Sequence, residues 1–288
     1  MTKRILGIIV CRRCAIFLTV LALFSASGTA FAKEPRAINV AVAANFYQPL
    51  KRLSEQYRQE TGVAINISAA STGVLFQQIV HGAPFDLYLA ADADRPQQLH
   101  ERGLSLGEPF VYARGVLAFW CPGCRDVSLD VVKRWQDQFS MANPKTAPYG
   151  AAASQVVQRF ALPNDPAPAV GNSVSQAYQF ISTGNVKAGF VAYSQVVDQP
   201  INAIKLPFEW YSPIVQKGVI LKRSENLDKV RQFVQFLAEQ SGPVLTEMGY
   251  LPAMDLSLKE FPVKGLAAKE LSANELAASE LAARGANG

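Results

Sequence analysis

Four short stretches could do chemistry, and each joins a β-like run to a helix start. They are Ala43-Ala44-Asn45-Phe46, Ala70-Ser71-Thr72-Gly73, Ala147-Pro148-Tyr149-Gly150 and Gly171-Asn172-Ser173-Val174. A helix N-terminus leaves several backbone N–H groups unpaired and carries partial positive charge, so each junction can receive an anion. Small residues let the backbone come close, and Asn, Ser and Thr add neutral donors. Any one junction is more simply an ordinary cap, because Ser, Thr and Asn are common at that position. Four together point to a small oxyanion held by dipoles. None of them contains Lys, Arg, Asp or Glu. A protonated oxyanion such as hydrogen phosphate needs a carboxylate acceptor for its O–H, whereas a deprotonated tetrahedral dianion needs donors only. That favours molybdate, tungstate or sulfate; Asp92 and Asp94, at a predicted strand end, keep phosphate open.

A second reactive group is Trp120-Cys121-Pro122-Gly123-Cys124, which inverts the central Gly-Pro of a thioredoxin-type motif. A redox Cys-x-x-Cys pair normally opens a helix, whose N-terminus lowers the thiol pKa. Here the pair ends an apolar run and is followed by Arg125-Asp126. A local structural disulfide is expected, with thiol–disulfide exchange through Cys121 and Cys124 as the alternative. No metal-ligand cluster, nucleophile elbow or Gly-rich phosphate loop is present in the sequence. His81 and His100 fall in or beside helical stretches and are expected to face solvent. The expectation is a binding protein without catalytic residues or cofactor.

The elements that must position these junctions alternate in kind. Strands are expected at 38–43, 63–67, 85–90 and 188–192, with the stretch 210–215 leading into another through Leu221, and a long apolar crossing segment at 111–120. Helices are expected at 46–60, around 75–80, and at 95–102, 149–160, 174–182 and 226–239, with a short separate one from Gly242-Pro243 to Gly249-Tyr250. This is an α/β pattern with largely parallel sheets. Beyond about Leu258 an Ala-rich repeat places leucines five residues apart, which walks them around a helix and builds no apolar face. Residues 259–288 therefore read as a low-complexity tail.

The N-terminus points to export. Lys3, Arg4, Arg12 and Arg13 precede an apolar core at 15–24, and Ala30-Phe31-Ala32 has the small-x-small pattern of a signal-peptidase site. The apolar core is shorter than the roughly 20 residues a spanning helix needs. Cleavage near Ala32 would remove Cys11, Cys14 and four of the 28 basic residues, leaving 24 Lys and Arg against 23 Asp and Glu. The net charge of +5 thus resides mostly in the leader, and no nucleic-acid footprint remains.

At the same residues the chain resembles the periplasmic molybdate-binding proteins of ABC transporters. The matching stretches are 40–46 (VAVAANF), 70–73 (ASTG), 82–92 (GAPFDLYLAAD), 143–150 (NPKTAPYG), 172–177 (NSVSQA) and 189–192 (GFVA), in the same order and at similar separations. The resemblance implies a two-lobed periplasmic binding protein fold of type II, each lobe a mixed sheet flanked by helices. It implies a first lobe from 33–117 plus 213–258, a second lobe from 118–212, and a hinge near Ala118 and Tyr211. Anion contacts are implied at Ala44, Asn45, Thr72, Tyr149 and Val174, mostly through backbone N–H, with Ser71 as a secondary contact. Some members use a Tyr after the Gly-hydrophobic-Val run; that position here is Ala192, with Tyr193 displaced by one, so Tyr193 is left out. The implied ligand is molybdate or tungstate, the implied partner a membrane ABC permease, and the expected state a monomer. Sulfate, phosphate or another small solute in the same fold is the alternative.

Overall fold

The computed structural model describes residues 37–251. The expected leader at 1–32 and tail at 259–288 lie outside the described residues.

Two five-stranded sheets organise the chain. The first has the order β2-β1-β3-β10-β4, from β1 (Ile38–Ala43), β2 (Ile65–Ala70), β3 (Leu87–Leu89), β4 (Ser105–Gly115) and β10 (Ile214–Leu221). The second has the order β7-β6-β8-β5-β9, from β5 (Leu117–Trp120), β6 (Phe139–Ala142), β7 (Ala169–Gly171), β8 (Ala188–Ala192) and β9 (Ala203–Lys205). β1 runs parallel to β2 and β3, while β10 is antiparallel to both β3 and β4. The second sheet repeats the scheme: β6 is parallel to β7 and β8, and β5 is antiparallel to β8 and β9. Both sheets are therefore mixed, and the molecule has two lobes.

The apolar run at 111–120 explains how the chain passes between lobes. It is two strands, broken at Val116, with β4 in one sheet and β5 in the other. The chain returns between β9 and β10.

Side-chain alternation builds the first core on both sheet faces. Ile38, Val40 and Val42 of β1 pack under α1 (Tyr47–Thr61) with Leu50, Leu53 and Tyr57. Ala41 turns the other way, toward Leu75, Phe76 and Ile79 of α2 (Thr72–Val80) and Leu99 of α3 (Asp94–Glu101). The second lobe centres on Phe119, Phe139 and Phe190, whose rings meet edge to face. It adds α4 (Leu129–Lys133), α5 (Pro148–Arg159) and α6 (Val174–Ser182).

Four expectations needed revision, the first being largely parallel sheets, since each sheet has two antiparallel pairings beside two parallel ones. The second strand spans Ile65–Ala70 and not 63–67, because its register follows β1 from Ile38↔Ile65 to Ala43↔Ala70. The helix at 226–239 and the short one after it are one helix, α7 (Leu227–Glu247), with Pro243 inside it. Pro243 cannot donate to the preceding turn, but the buried stripe Val230, Phe233, Val234, Leu237, Val244 and Leu245 continues past it against the first core. His81 is exposed as expected, whereas His100 is partly buried and its Nε2 meets Glu108 Oε1 at 3.0 Å.

Candidate functional site

The four junctions converge from both lobes. Ala43 and Ala91 of the first lobe share one buried cluster with Ala147, Tyr149 and Val174 of the second. α2 starts at Thr72, α5 at Pro148 and α6 at Val174, while the first junction enters α1 through a 3-10 turn, Ala44–Phe46. Helix geometry provides no acceptor for the N–H groups of Thr72, Tyr149 and Val174, all in first turns. Capping separates the junctions. Ser173 Oγ accepts from Gln176 N at 3.2 Å and is an ordinary cap. Ala43, Ser71 and Ala147 make no side-chain cap.

Ser71 is 4% exposed, and its hydroxyl has no hydrogen-bond partner. Leaving a buried hydroxyl unpaired costs about 1–3 kcal/mol, so its presence at an uncapped helix start is a specific chemical feature. Thr72, 1% exposed, accepts from Ala91 N at 3.1 Å through Oγ1, which leaves its own O–H free for another acceptor.

The lobes touch through neutral groups and one cation, the Arg95 guanidinium, whose Nη2 donates to Lys145 O at 3.1 Å. Gly73 N donates to Thr146 O at 2.8 Å, Ser175 Oγ donates to Ala44 O at 3.2 Å, and Ser194 Oγ donates to Tyr250 Oη at 3.1 Å. Below them lies a buried polar network. Asn45 Nδ2 donates to Gln216 Oε1 at 3.0 Å and to Tyr250 Oη at 3.1 Å, and Tyr250 in turn donates to Asn45 O at 2.8 Å. Burial pushes the phenols of Tyr112, Tyr149 and Tyr250 well above their ordinary pKa, so they stay neutral donors.

Residues 38–251 match the profile of the bacterial extracellular solute-binding protein family. The chain belongs to that family. A molybdate-binding protein of Rhodobacter capsulatus is 35% identical over 80% of this chain and 94% of its own length. One from Azotobacter vinelandii is 39% identical over 76% and 90%. The solved structure of the Azotobacter vinelandii periplasmic molybdate-binding protein superposes with a TM-score of 0.71 at 31% identity, covering 75% of this chain and 99% of that one. These relatives of this solute-binding protein are binding proteins and not enzymes.

The structure bears on several chemical expectations of this solute-binding protein. The Asn45 amide donates to Gln216 and Tyr250 and also reaches Tyr149 of the second lobe, so its side chain is a brace. Asp92 is already engaged within its own helix start: its carboxylate takes Arg95 Nη1 and, at 3.2 Å, Arg95 N. Burial raises the Asp92 pKa, and the Arg95 guanidinium opposes that rise. Tyr193 packs between lobes, its ring against Gly249 and 4.4 Å beneath Lys205 Nζ. Cys121 and Cys124 are joined by a disulfide in the turn after β5, short of the α4 start at Leu129, so no helix begins on either sulfur. Gln216, Tyr112 and Tyr250 were missed by the sequence reading. A Gln in a strand whose flanks are Ile214-Val215 and Val219-Ile220-Leu221 was the available signal, since a buried amide needs partners.

Proposed function

We propose that this chain captures molybdate or tungstate between its lobes in the periplasm and hands it to a membrane ABC permease. The observation that carries the anion is Ser71, a buried hydroxyl with no partner at an uncapped helix start, among junctions free of charged side chains. The two molybdate-binding relatives at 35% and 39% identity supply which anion.

In this reading the N–H groups of Ala44, Asn45, Tyr149 and Val174 and the hydroxyl of Thr72 surround the oxyanion. Ser71 Oγ adds a donor. Nothing in that shell must lose or gain a proton near neutral pH, so it suits a dianion that brings no O–H of its own. Selection over sulfate follows from donors held at a spacing too wide for a smaller tetrahedron. Residues 33–117 with 213–258 would move against 118–212 about the crossings near Ala118 and Tyr211. The leader would be cleaved near Ala32, and the mature protein would act as a monomer without nucleic acid.

The test is a thermal-shift and calorimetric panel of molybdate, tungstate, sulfate and phosphate. Molybdate at about a hundred times its Kd should stabilise the protein by about 2.7 kcal/mol, with sulfate and phosphate well behind. Ser71→Ala and Thr72→Ala should each weaken molybdate by about 1–3 kcal/mol. Equal shifts from all four anions, or unchanged titrations in both variants, would refute the reading.

A further inference from the structure

Gln216 sits in the middle of β10 with no exposed surface, and its carboxamide touches both walls of the cleft. Its Oε1 accepts from Asn45 Nδ2 at 3.0 Å and lies 3.0 Å from the Tyr112 hydroxyl, which can donate there or to Ala90 O. Its Nε2 donates to Tyr149 Oη at 3.4 Å, across to the second lobe. Asn45 Nδ2 can only donate, so the atom facing it is the Gln216 oxygen and the nitrogen is left for Tyr149. The neighbouring strand keeps that corner open. A Cβ on Gly115 would lie 2.2 Å from Tyr149 Oη and 2.9 Å from Gln216 Nε2, so any larger residue would push the two apart.

We infer that Gln216 is the positioning residue of the anion cage: it ties the Asn45 loop of one lobe to Tyr149 of the other and so sets the cage width. The inference rests on the proposed reading of those two loops as anion contacts. Gln216 is not itself an anion ligand. It works by holding Asn45 and Tyr149 at one separation, which is what a size-based choice between anions requires. Its neutrality matters equally, because a buried carboxylate at this point would face a dianion with nothing to screen it.

Two variants of the full chain test this, titrated calorimetrically with sodium molybdate and sodium sulfate. Gln216→Met keeps the length but loses both hydrogen-bonding ends. It should weaken molybdate by about tenfold or more, and sulfate by less, so that the ratio of the two Kd values narrows. Gln216→Glu gives a readout that a packing defect would not produce. The parent's molybdate affinity should stay level from about pH 5.5 to 8.5, since the proposed cage is built of backbone N–H groups and hydroxyls that do not ionise in that range. The affinity of Gln216→Glu should rise as pH falls, because the protonated acid resembles the amide and the carboxylate repels the ligand. A Gln216→Met protein with the parent's two Kd values, or a Gln216→Glu protein with the parent's level profile, overturns the inference. A parent that does not bind molybdate overturns the underlying reading instead, so the two failures are distinct.

Discussion

Gly115 carries no chemistry, yet the site depends on what it lacks. With the Tyr149 hydroxyl 2.2 Å from where its Cβ would be, Gly115→Ala must displace Tyr149 or bend the crossing strand. Overpacking of this kind typically costs about 1–3 kcal/mol. The expected outcome is a lower unfolding midpoint together with a larger loss of molybdate affinity, because the displaced ring belongs to the proposed cage. Calorimetry beside chemical unfolding would separate the two effects. A variant that loses stability but binds molybdate like the parent would mean that Tyr149 can shift without consequence for the anion. Thr72 and Ser71 make the same point with opposite signs. Thr72 is anchored by Ala91 N and keeps one proton to give, whereas Ser71 is anchored by nothing.

Among the helices, capping divides stability from binding. Ser173 caps α6 through Gln176 N, and Ser71 leaves α2 uncapped. Ser173→Ala should therefore cost about 1 kcal/mol of folding stability while changing the molybdate Kd little; Ser71→Ala should do the reverse. Equal effects of the two substitutions on both measurements would remove the distinction. At this scale much of the chain was legible. β1 and β8 follow from apolar runs bounded by small or polar residues, one in each sheet, and α6 follows from apolar residues at helical spacing. β6, β7, β9 and α4, each of three to five residues, escaped because so few residues carry no period. Pro243 was read as a break because a local rule says so, and the tertiary stripe on either side of it overrode that rule. The junctions of the site were legible because helix starts are local. The Gln216 network was not, because Asn45 and Gln216 are 171 residues apart and only the fold brings them together.

At the scale of the molecule, the seam between lobes is lined by buried tyrosines and amides, and among the described residues no salt bridge crosses it, which sets how stability should respond to pH. Tyr112, Tyr149 and Tyr250 have pKa values raised by burial, as does Tyr88 beneath the second junction. A phenol whose folded pKa exceeds its unfolded value holds a proton that the unfolded chain gives up. Its contribution is fully present below about pH 10, the unfolded value, and is lost as pH rises toward the folded value. Each such tyrosine removes up to about 1.4 kcal/mol per pH unit in that window, so several together should make the alkaline fall steep. Guanidinium unfolding at pH 8, 9.5 and 11 should give nearly equal midpoints at the first two and a clearly lower one at the third. Saturating molybdate should move all three midpoints upward, because the ligand binds the folded protein alone. Equal midpoints at pH 8 and pH 11 would mean that these hydroxyls ionise in the folded protein, and a cage built on neutral donors would then have lost its physical basis.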